Sequence, residues 1–403
     1  MKAVVIGFGQ RGKSVTKDVL LRNKDIEIIS VCDLYEDRAQ DAAGLVFEHG
    51  GNAKWFTKYK EALNVKGLEL AFIFSSWEAH SEIARYAMEK GIPVASEVGC
   101  EYSLEGCFDT VSTQKRTGTP YMFMENCCYG KEELLATNMA RHGIFGEIVQ
   151  CSGAYAHDLR QEVAYGIKNR HYRFRNYLAR NCENYPTHEL GPIAKLLNIN
   201  RGNRIVSVSS VASKSRGIQS YIKARNDADD IMRNADFKQG DIVDTLITCA
   251  GGETIRLCLD TCLPRSYSRQ FTVRGTKGAY SMDTNSVFLD GDKEYWSPVE
   301  YNTATMNNAV KYEEKYLPEL WKAVTPEILE AGHGGIDVFV YDAFVDAVKN
   351  HKEMPIDVYD GVTWMAVSVL SEKSILQGGA PQAMPDFTDG KWITRKPKDV
   401  IDF

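Results

Sequence analysis

The chain has no long hydrophobic run, no excess of positive charge and no repeated or low-complexity segment, and each absence removes a class of function. Nowhere in its 403 residues does an apolar stretch reach the roughly 18 residues that a membrane span needs. A formal net charge of −6 argues against nucleic acid and against an anionic membrane as partners. Paired zinc-type cysteines are missing too. Cys127 and Cys128 are adjacent and Cys258 and Cys262 are four apart, without a C-x-x-C pair or a nearby set of histidines, so no metal is expected. Met1 leads straight into a strand, which leaves no room for an export signal and makes the cytoplasm the expected location. The ten cysteines then read as thiols, most of them buried as small hydrophobes. What remains is an ordinary globular composition, 44% hydrophobic and 25% charged, long enough for two or three domains.

The most informative stretch is the first 33 residues. An apolar run at 2–6 is followed by Gly7-Phe8-Gly9-Gln10-Arg11-Gly12, a helical pattern to about 21, a second apolar run at 26–31, and then Asp33. A strand, a G-x-G-x-x-G turn, a helix, a strand and an acid about 20 residues past the glycines is the arrangement of a dinucleotide site. Gly7 permits the turn, Gly9 lets backbone approach a pyrophosphate, and Gly12 lets helix pack on strand. The free N–H groups of the helix start face the phosphates. Asp33 would accept from the adenosine ribose hydroxyls, which favours NAD over NADP. Arg11 and Arg38 are candidates for the cofactor's phosphate or adenine.

Strand and helix keep alternating, with strands at 70–74, 92–96 and 121–125 and helices at 78–90 and 104–117. That rhythm predicts a parallel sheet with helices on both faces, a Rossmann domain over 1–124. Ligands meet such sheets at the carboxyl ends of the strands. The residues there are Asp33, then Ser75, Ser76 and Trp77, then Glu97, then Asn126. His80, at the start of the helix after Trp77, is either beside the cofactor or packed within the helix layer.

Past a helix at 131–141 the rhythm changes to strands without intervening helices, at 147–157, 205–212, 244–250, 254–260, 270–274 and 278–283. This predicts a second α/β domain, 125–403, built on an open and largely antiparallel sheet, with helices at 335–350 and 359–376 and a C-terminal tail from 381 across the surface. The Arg-, Asn- and Tyr-rich stretch 159–184 reads as a substrate-facing loop or short helices. An open sheet face needs cover, so a homodimer or homotetramer is expected. Tyr155 and His157, two apart on a strand, share a face, as do Tyr185 and His188, three apart at a helix start. Two Tyr/His couples on separate elements suit proton transfer to and from a bound ligand. His333 lies in a glycine-rich loop, either near a ligand or in a simple turn, and His49, His142, His171 and His351 read as structural.

A Rossmann domain followed by an open-sheet domain resembles the glucose–fructose oxidoreductase / inositol dehydrogenase superfamily. That superfamily usually carries Glu-Lys-Pro after its fifth strand, where this chain has Glu97-Val98-Gly99, and an Asp four residues before a His, where this chain has Asn184 and His188. Both departures speak against a plain dehydrogenase. Longer segments are similar to glycoside hydrolase family 109: Glu125-Asn126-Cys127-Cys128-Tyr129, Gly153-Ala154-Tyr155-Ala156-His157-Asp158-Leu159, Tyr185-Pro186-Thr187-His188-Glu189-Leu190-Gly191-Pro192 and Asn198-Ile199-Asn200-Arg201-Gly202. Pro264-Arg265-Ser266-Tyr267-Ser268-Arg269, Gly275-Thr276-Lys277-Gly278 and Gly332-His333-Gly334-Gly335-Ile336-Asp337 match as well, so the likeness runs from the first strand to about residue 340.

The resemblance implies an NAD-dependent glycosidase acting on α-N-acetylgalactosaminides or related glycosides. Its implied route is oxidation at C3 of the sugar, loss of the C2 proton, elimination of the aglycone, addition of water and re-reduction, with NAD regenerated each turn. Carried over by motif position, Tyr155 and His157 serve C2 deprotonation or its support. His188 serves the C3 hydroxyl or the water step, Tyr185 binds sugar, and Arg173 and Tyr267 contact substrate. Glu97 and Asn126 lie beside the nicotinamide. The alternative is an NAD-dependent sugar oxidoreductase or 3-keto-glycoside lyase, which would consume added NAD⁺ instead of recycling it.

Overall fold

The computed structural model describes residues 1–228, 230–294 and 296–403. The chain divides into two compact units, Met1–Asn126 with Val324–Met365, and Cys127–Ala323 with Ala366–Phe403.

In the first unit, β1 (Lys2–Ile6), β2 (Glu27–Cys32), β3 (Lys54–Phe56), β4 (Leu70–Ile73), β5 (Val94–Ser96) and β6 (Tyr121–Phe123) form one sheet in the order β3-β2-β1-β4-β5-β6. Every pairing in it is parallel. Strands covered on both faces must be apolar on both faces. Accordingly Ala3 to Ile6 of β1 and all of β4 are buried. The edge strand β3 is exposed or half-buried, and its lack of apolar pattern kept it out of the sequence reading. The helix Ile336–Lys349 belongs to this unit, with Tyr341 and Phe344 packed on Phe72 at ring-centroid distances of 5.9 and 5.7 Å. Strand order reverses between β1 and β4, and ligands bind such sheets beyond the carboxyl ends of strands at the reversal.

In the second unit, β7 (Ile148–Ala156), β8 (Ile205–Ala212), β9 (Ile242–Cys249), β10 (Thr254–Asp260), β11 (Thr272–Gly275), β12 (Gly278–Ser281), β13 (Ser286–Leu289) and β14 (Gln382–Ala383) are ordered β13-β12-β11-β7-β10-β9-β8-β14. β7 and β10 run parallel, and the other pairings are antiparallel. Burial alternates along β9: Val243, Thr245, Ile247 and Cys249 point inward, Leu246 and Thr248 outward. That is the signature of a sheet covered on one face. The helix Thr187–Leu196 lies against β7 on the covered face, so close that a Cβ on Gly153 would stand 2.9 Å from the Glu189 carbonyl oxygen. The stretch 159–184 holds two short helices, Arg160–Ala164 and Arg173–Ala179. Val163, Tyr177, Ile218, Ile222 and Phe237 pack into a small apolar core that anchors them.

The sequence reading did not contain β13 or the short helices between Pro298 and Glu330. These are brief elements with few buried apolar positions, so periodicity carries little signal there. The tail adds β14 to the edge of β8 and one short 3-10 turn, Lys391–Ile393. Among the described residues no helix is long and apolar enough to cross a membrane.

Candidate functional site

The glycine loop follows β1. Gly7 has φ +95°, and a Cβ there would sit 2.5 Å from the Phe74 carbonyl carbon, so only glycine fits. Gly12 packs on the same turn, where a Cβ would lie 2.1 Å from the Gly7 oxygen. Gly9 is different: its Cβ would meet only Arg38 Nη1, at 3.8 Å. Gly7 and Gly12 close the loop and Gly9 leaves room above it. Gly9 caps the helix Gln10–Asp18 without a side-chain hydrogen bond to its first N–H groups. Such an end attracts phosphate. Asp33, buried at the end of β2, accepts the Phe8 N–H at 2.6 Å and the Tyr35 N–H at 2.9 Å, which fixes the loop against the acid. Arg38 stacks over the Tyr35 ring, 5.1 Å from its centroid.

After β4, Ser75 and Ser76 lead into the helix Trp77–Glu89. The indole of Trp77 occupies the space a side chain at 99 would need, since a Cβ on Gly99 would lie 2.7 Å from its Cδ1. His80 donates from Nε2 to the Ser75 carbonyl at 2.7 Å. Burial lowers its pKa, more than the Ser75 carbonyl raises it, and the ring is neutral at pH 7. Glu97, after β5, accepts from Arg11 at 2.7 Å and from the Tyr341 hydroxyl at 2.8 Å.

Arg11 and Asn126 converge on a residue the sequence reading did not single out, and Glu97 shares Arg11 with it. Asp337 accepts from Arg11 Nη1 at 2.6 Å and Nη2 at 2.9 Å, from Asn126 Nδ2 at 2.7 Å, and lies 2.8 Å from His333 Nδ1. Burial alone would raise the Asp337 pKa. The Arg11 charge and the hydrogen bonds from His333 and Arg11 reverse this and hold the carboxyl well below the usual range. His333 itself has φ +51° and is exposed, beside this network. The signal for Asp337 was present in the sequence, as an acid in the first turn of a helix after a glycine-rich loop. Its distance along the chain from Arg11 hid the pairing.

The second unit brings the other six predicted residues together. Tyr155 stands at the end of β7, its ring 4.5 Å from that of Tyr185, 5.4 Å from His188 and 6.5 Å from Tyr267. The Tyr155 hydroxyl is 3.1 Å from His157 Nδ1, and the His157 ring is 5.2 Å from Tyr267. The Tyr185 hydroxyl is 3.5 Å from His188 Nε2. Arg173 lies over the Tyr185 ring at 5.1 Å and pairs with Glu162 at 2.7 Å. Arg269, beside Tyr267, pairs with buried Glu133. Glu162 and Glu133 are further residues the sequence reading missed, since nothing in local spacing links them to their arginines.

Electrostatics set the protonation states. Burial raises the Tyr155 pKa, opposed by the Arg173 charge, so the phenol keeps its proton. Burial lowers the His157 pKa from 6.5, and Arg173 lowers it further. Burial also raises Tyr267. The cluster therefore holds a neutral imidazole in contact with a protonated phenol.

The comparisons with known proteins agree along the whole chain. The C-terminal domain of glycosyl hydrolase 109 matches residues 129–394, and the oxidoreductase family with an NAD-binding Rossmann fold matches 1–124. A glycosyl hydrolase family 109 protein of Stenotrophomonas maltophilia (strain K279a) is 37% identical, covering 100% of this chain and 92% of that one. An alpha-N-acetylgalactosaminidase of Tannerella forsythia is 34% identical, covering 97% and 87%. Among solved structures, myo-inositol 2-dehydrogenase from Lactobacillus plantarum shares the fold, with a TM-score of 0.67 at 15% identity over 96% of this chain and 99% of that one. Identity of that order over the full length, with the oxidoreductase lysine absent and the glycine loop intact, makes this chain a member of glycosyl hydrolase family 109, a glycosidase with NAD as its cofactor.

Proposed function

We propose that the protein hydrolyses α-N-acetylgalactosaminides or related glycosides, and that Tyr155, His157 and His188 carry the proton transfers. The observation that carries this reading is the meeting of two Tyr/His couples with Arg173 and Tyr267 in one cluster. Glycosidases of the common type need two carboxylates flanking the bond, and NAD-dependent ones are an exception.

The first unit's residues fit the cofactor. The room above Gly9 and the uncapped helix start suit a pyrophosphate, with Gly7, Phe8, Gln10 and Gly12 completing the loop and Arg38 beside it. Asp33 would take the ribose hydroxyls. Ser75, Ser76, Trp77 and His80 would border the cofactor from β4. Arg11 and Asn126, through their bonds to Asp337, and Glu97, through its bond to Arg11, would frame it. When bound, NAD supplies a reversible hydride acceptor for C3 of the sugar, which acidifies the proton on C2.

The second unit's residues do the rest. The Tyr155 hydroxyl and His157, 3.1 Å apart, form a relay that takes the C2 proton or supports its removal. His188 takes the C3 hydroxyl proton or activates the water that adds at C1. Tyr185 and Tyr267 offer ring faces to the sugar, and Arg173 binds its polar groups. The test is ¹H NMR in D₂O without added NAD⁺, on p-nitrophenyl α-N-acetylgalactosaminide and a panel of α- and β-glycosides. Sugar release with deuterium at C2 is the expected result. NADH accumulating only when NAD⁺ is supplied, with no sugar released, overturns the hydrolase reading.

The pH dependence follows from His157. As a base it must be neutral, and both burial and Arg173 lower its pKa from 6.5. Activity is therefore lost as pH falls through a value below 6.5, and this acid limb moves upward in Arg173→Gln. A pH profile of kcat/KM for both proteins checks the direction.

Assembly and location belong to the same reading. A homodimer or homotetramer through the outer face of the second sheet is supported by Val211 and Leu246, which are exposed there at 57% and 59%. A reducing cytoplasm is supported by the ten cysteines, nine of them buried as small hydrophobes.

A further inference from the structure

Two carboxyls lie buried beside the aromatic cluster, outside the chemistry described above. Glu183 is two residues before Tyr185 and Glu189 directly follows His188, and neither is accessible to solvent beyond 1%. Glu189 Oε2 accepts the Cys258 N–H at 2.9 Å, and the same carboxyl accepts the N–H of Tyr155. Glu183 Oε1 accepts the Tyr185 N–H at 3.4 Å, and that carboxyl also accepts the N–H of Leu259. Each therefore ties the segment 183–189 to a strand that ends at the cluster.

The two remaining oxygens, Glu183 Oε2 and Glu189 Oε1, are buried and receive no hydrogen from any other group. The carboxyls hydrogen-bond to one another. Two carboxylates have no hydrogen to place between them, so the contact requires a proton on the pair. The surroundings favour keeping it. Burial raises both groups, and Asp244 on β9 adds a second negative charge facing Glu183. The Cys258 thiol on β10 feels both carboxyls and is itself raised, chiefly by burial. Asn184, held by Gln239 at 3.0 Å, is neutral where the wider superfamily has an acid. A third carboxyl there would add to the repulsion.

We propose that Glu183 and Glu189 share one proton and act as a single positioning unit that fixes Tyr185 and His188 against Tyr155. Its link to catalysis rests on the glycosidase reading, and the shared proton does not. With the proton in place the segment 183–189 is locked to β7 and β10. Raising the pH removes it, leaves two buried like charges in contact, and loosens the Tyr185/His188 couple.

The test uses the full-length holoenzyme with Glu189→Gln and Glu189→Ala. A glutamine replaces the shared proton with an amide donor, so E189Q keeps the contact, whereas E189A leaves Glu183 without a partner. Infrared difference spectra at pH 7 should show a protonated-carboxyl carbonyl band in the wild type that E189Q loses. At pH 7, E189Q should keep kcat within about threefold, while E189A loses roughly 10- to 100-fold in kcat with less change in KM. The wild type should lose kcat on the alkaline side, and E189Q should not. Absence of the acid band in the wild type, or a kcat loss in E189Q equal to that in E189A, overturns the proposal. If E189A does not fold, the infrared band and the alkaline limb of E189Q decide it. An acid band in a wild type that cleaves no glycoside leaves the proton-sharing pair standing and removes the glycosidase reading instead.

Discussion

His188→Ala should lose glycoside turnover by about 10²- to 10⁴-fold, the range set by removing a general acid–base group, while retaining bound NAD. The imidazole stands on the first turn of the helix Thr187–Leu196, 4.8 Å from the Tyr185 ring and 5.4 Å from the Tyr155 ring. Its Nε2 is 3.5 Å from the Tyr185 hydroxyl, a distance that a bound sugar's hydroxyl can shorten or replace. The backbone of this turn is held independently of the ring, through Glu183, Glu189 and the Leu190 N–H to the Pro186 carbonyl at 2.9 Å. Truncation at 188 should therefore leave the helix in place. The residues proposed to hold NAD all belong to the first unit, so nucleotide released on denaturation should be unchanged from wild type. Turnover within tenfold of wild type removes His188 from the chemistry. Loss of NAD together with turnover makes its role structural.

How much of this was legible in the sequence depends on whether a residue's partner is local. The cofactor loop is readable because Gly7, Gly9, Gly12 and Asp33 fall within one strand–helix–strand unit, and their spacing is itself the geometry. β1 and β4 are readable because strands buried on both faces are unbroken apolar runs. The two Tyr/His couples are readable as pairs because their members lie two and three residues apart. That they form one cluster is not, because it depends on β7 and the helix Thr187–Leu196 meeting over Gly153. Asp337 shows the limit most clearly. Its motif was noted, yet its role depends on Arg11, more than 300 residues earlier, crossing to it. Glu183 carries no sequence signal, and Glu189 lies in a family-like segment that gives it no role. A glutamate before a tyrosine or inside a helix reads as a solvated charge until burial is known.

Gly9→Ala and Gly12→Ala should separate cofactor binding from folding. Gly9 has φ −69°, which alanine adopts freely, and its Cβ would meet only Arg38 Nη1 at 3.8 Å. The substituted loop keeps its shape and its stability without nucleotide. What the methyl occupies is the room proposed for the pyrophosphate, so G9A should lose most of the rise in melting temperature that NAD gives by binding only the folded state. Gly12 offers no such room. A Cβ there lies 2.1 Å from the Gly7 oxygen and 3.1 Å from Phe74 Cβ, so the helix Gln10–Asp18 must move off β1. Overpacking of this kind costs about 1–3 kcal/mol, and each kcal/mol lowers Tm by about 2–4 °C in a domain of this size. G12A should therefore melt several degrees lower even without NAD, and bind it poorly because the displaced helix start no longer faces the phosphates. Melting curves with and without NAD on both variants check the contrast. A G9A protein that keeps the full NAD-induced shift shows that the pyrophosphate does not cross Gly9. A G12A protein as stable as wild type shows that helix and strand can part without cost, leaving the close packing of the loop no role in holding the cofactor.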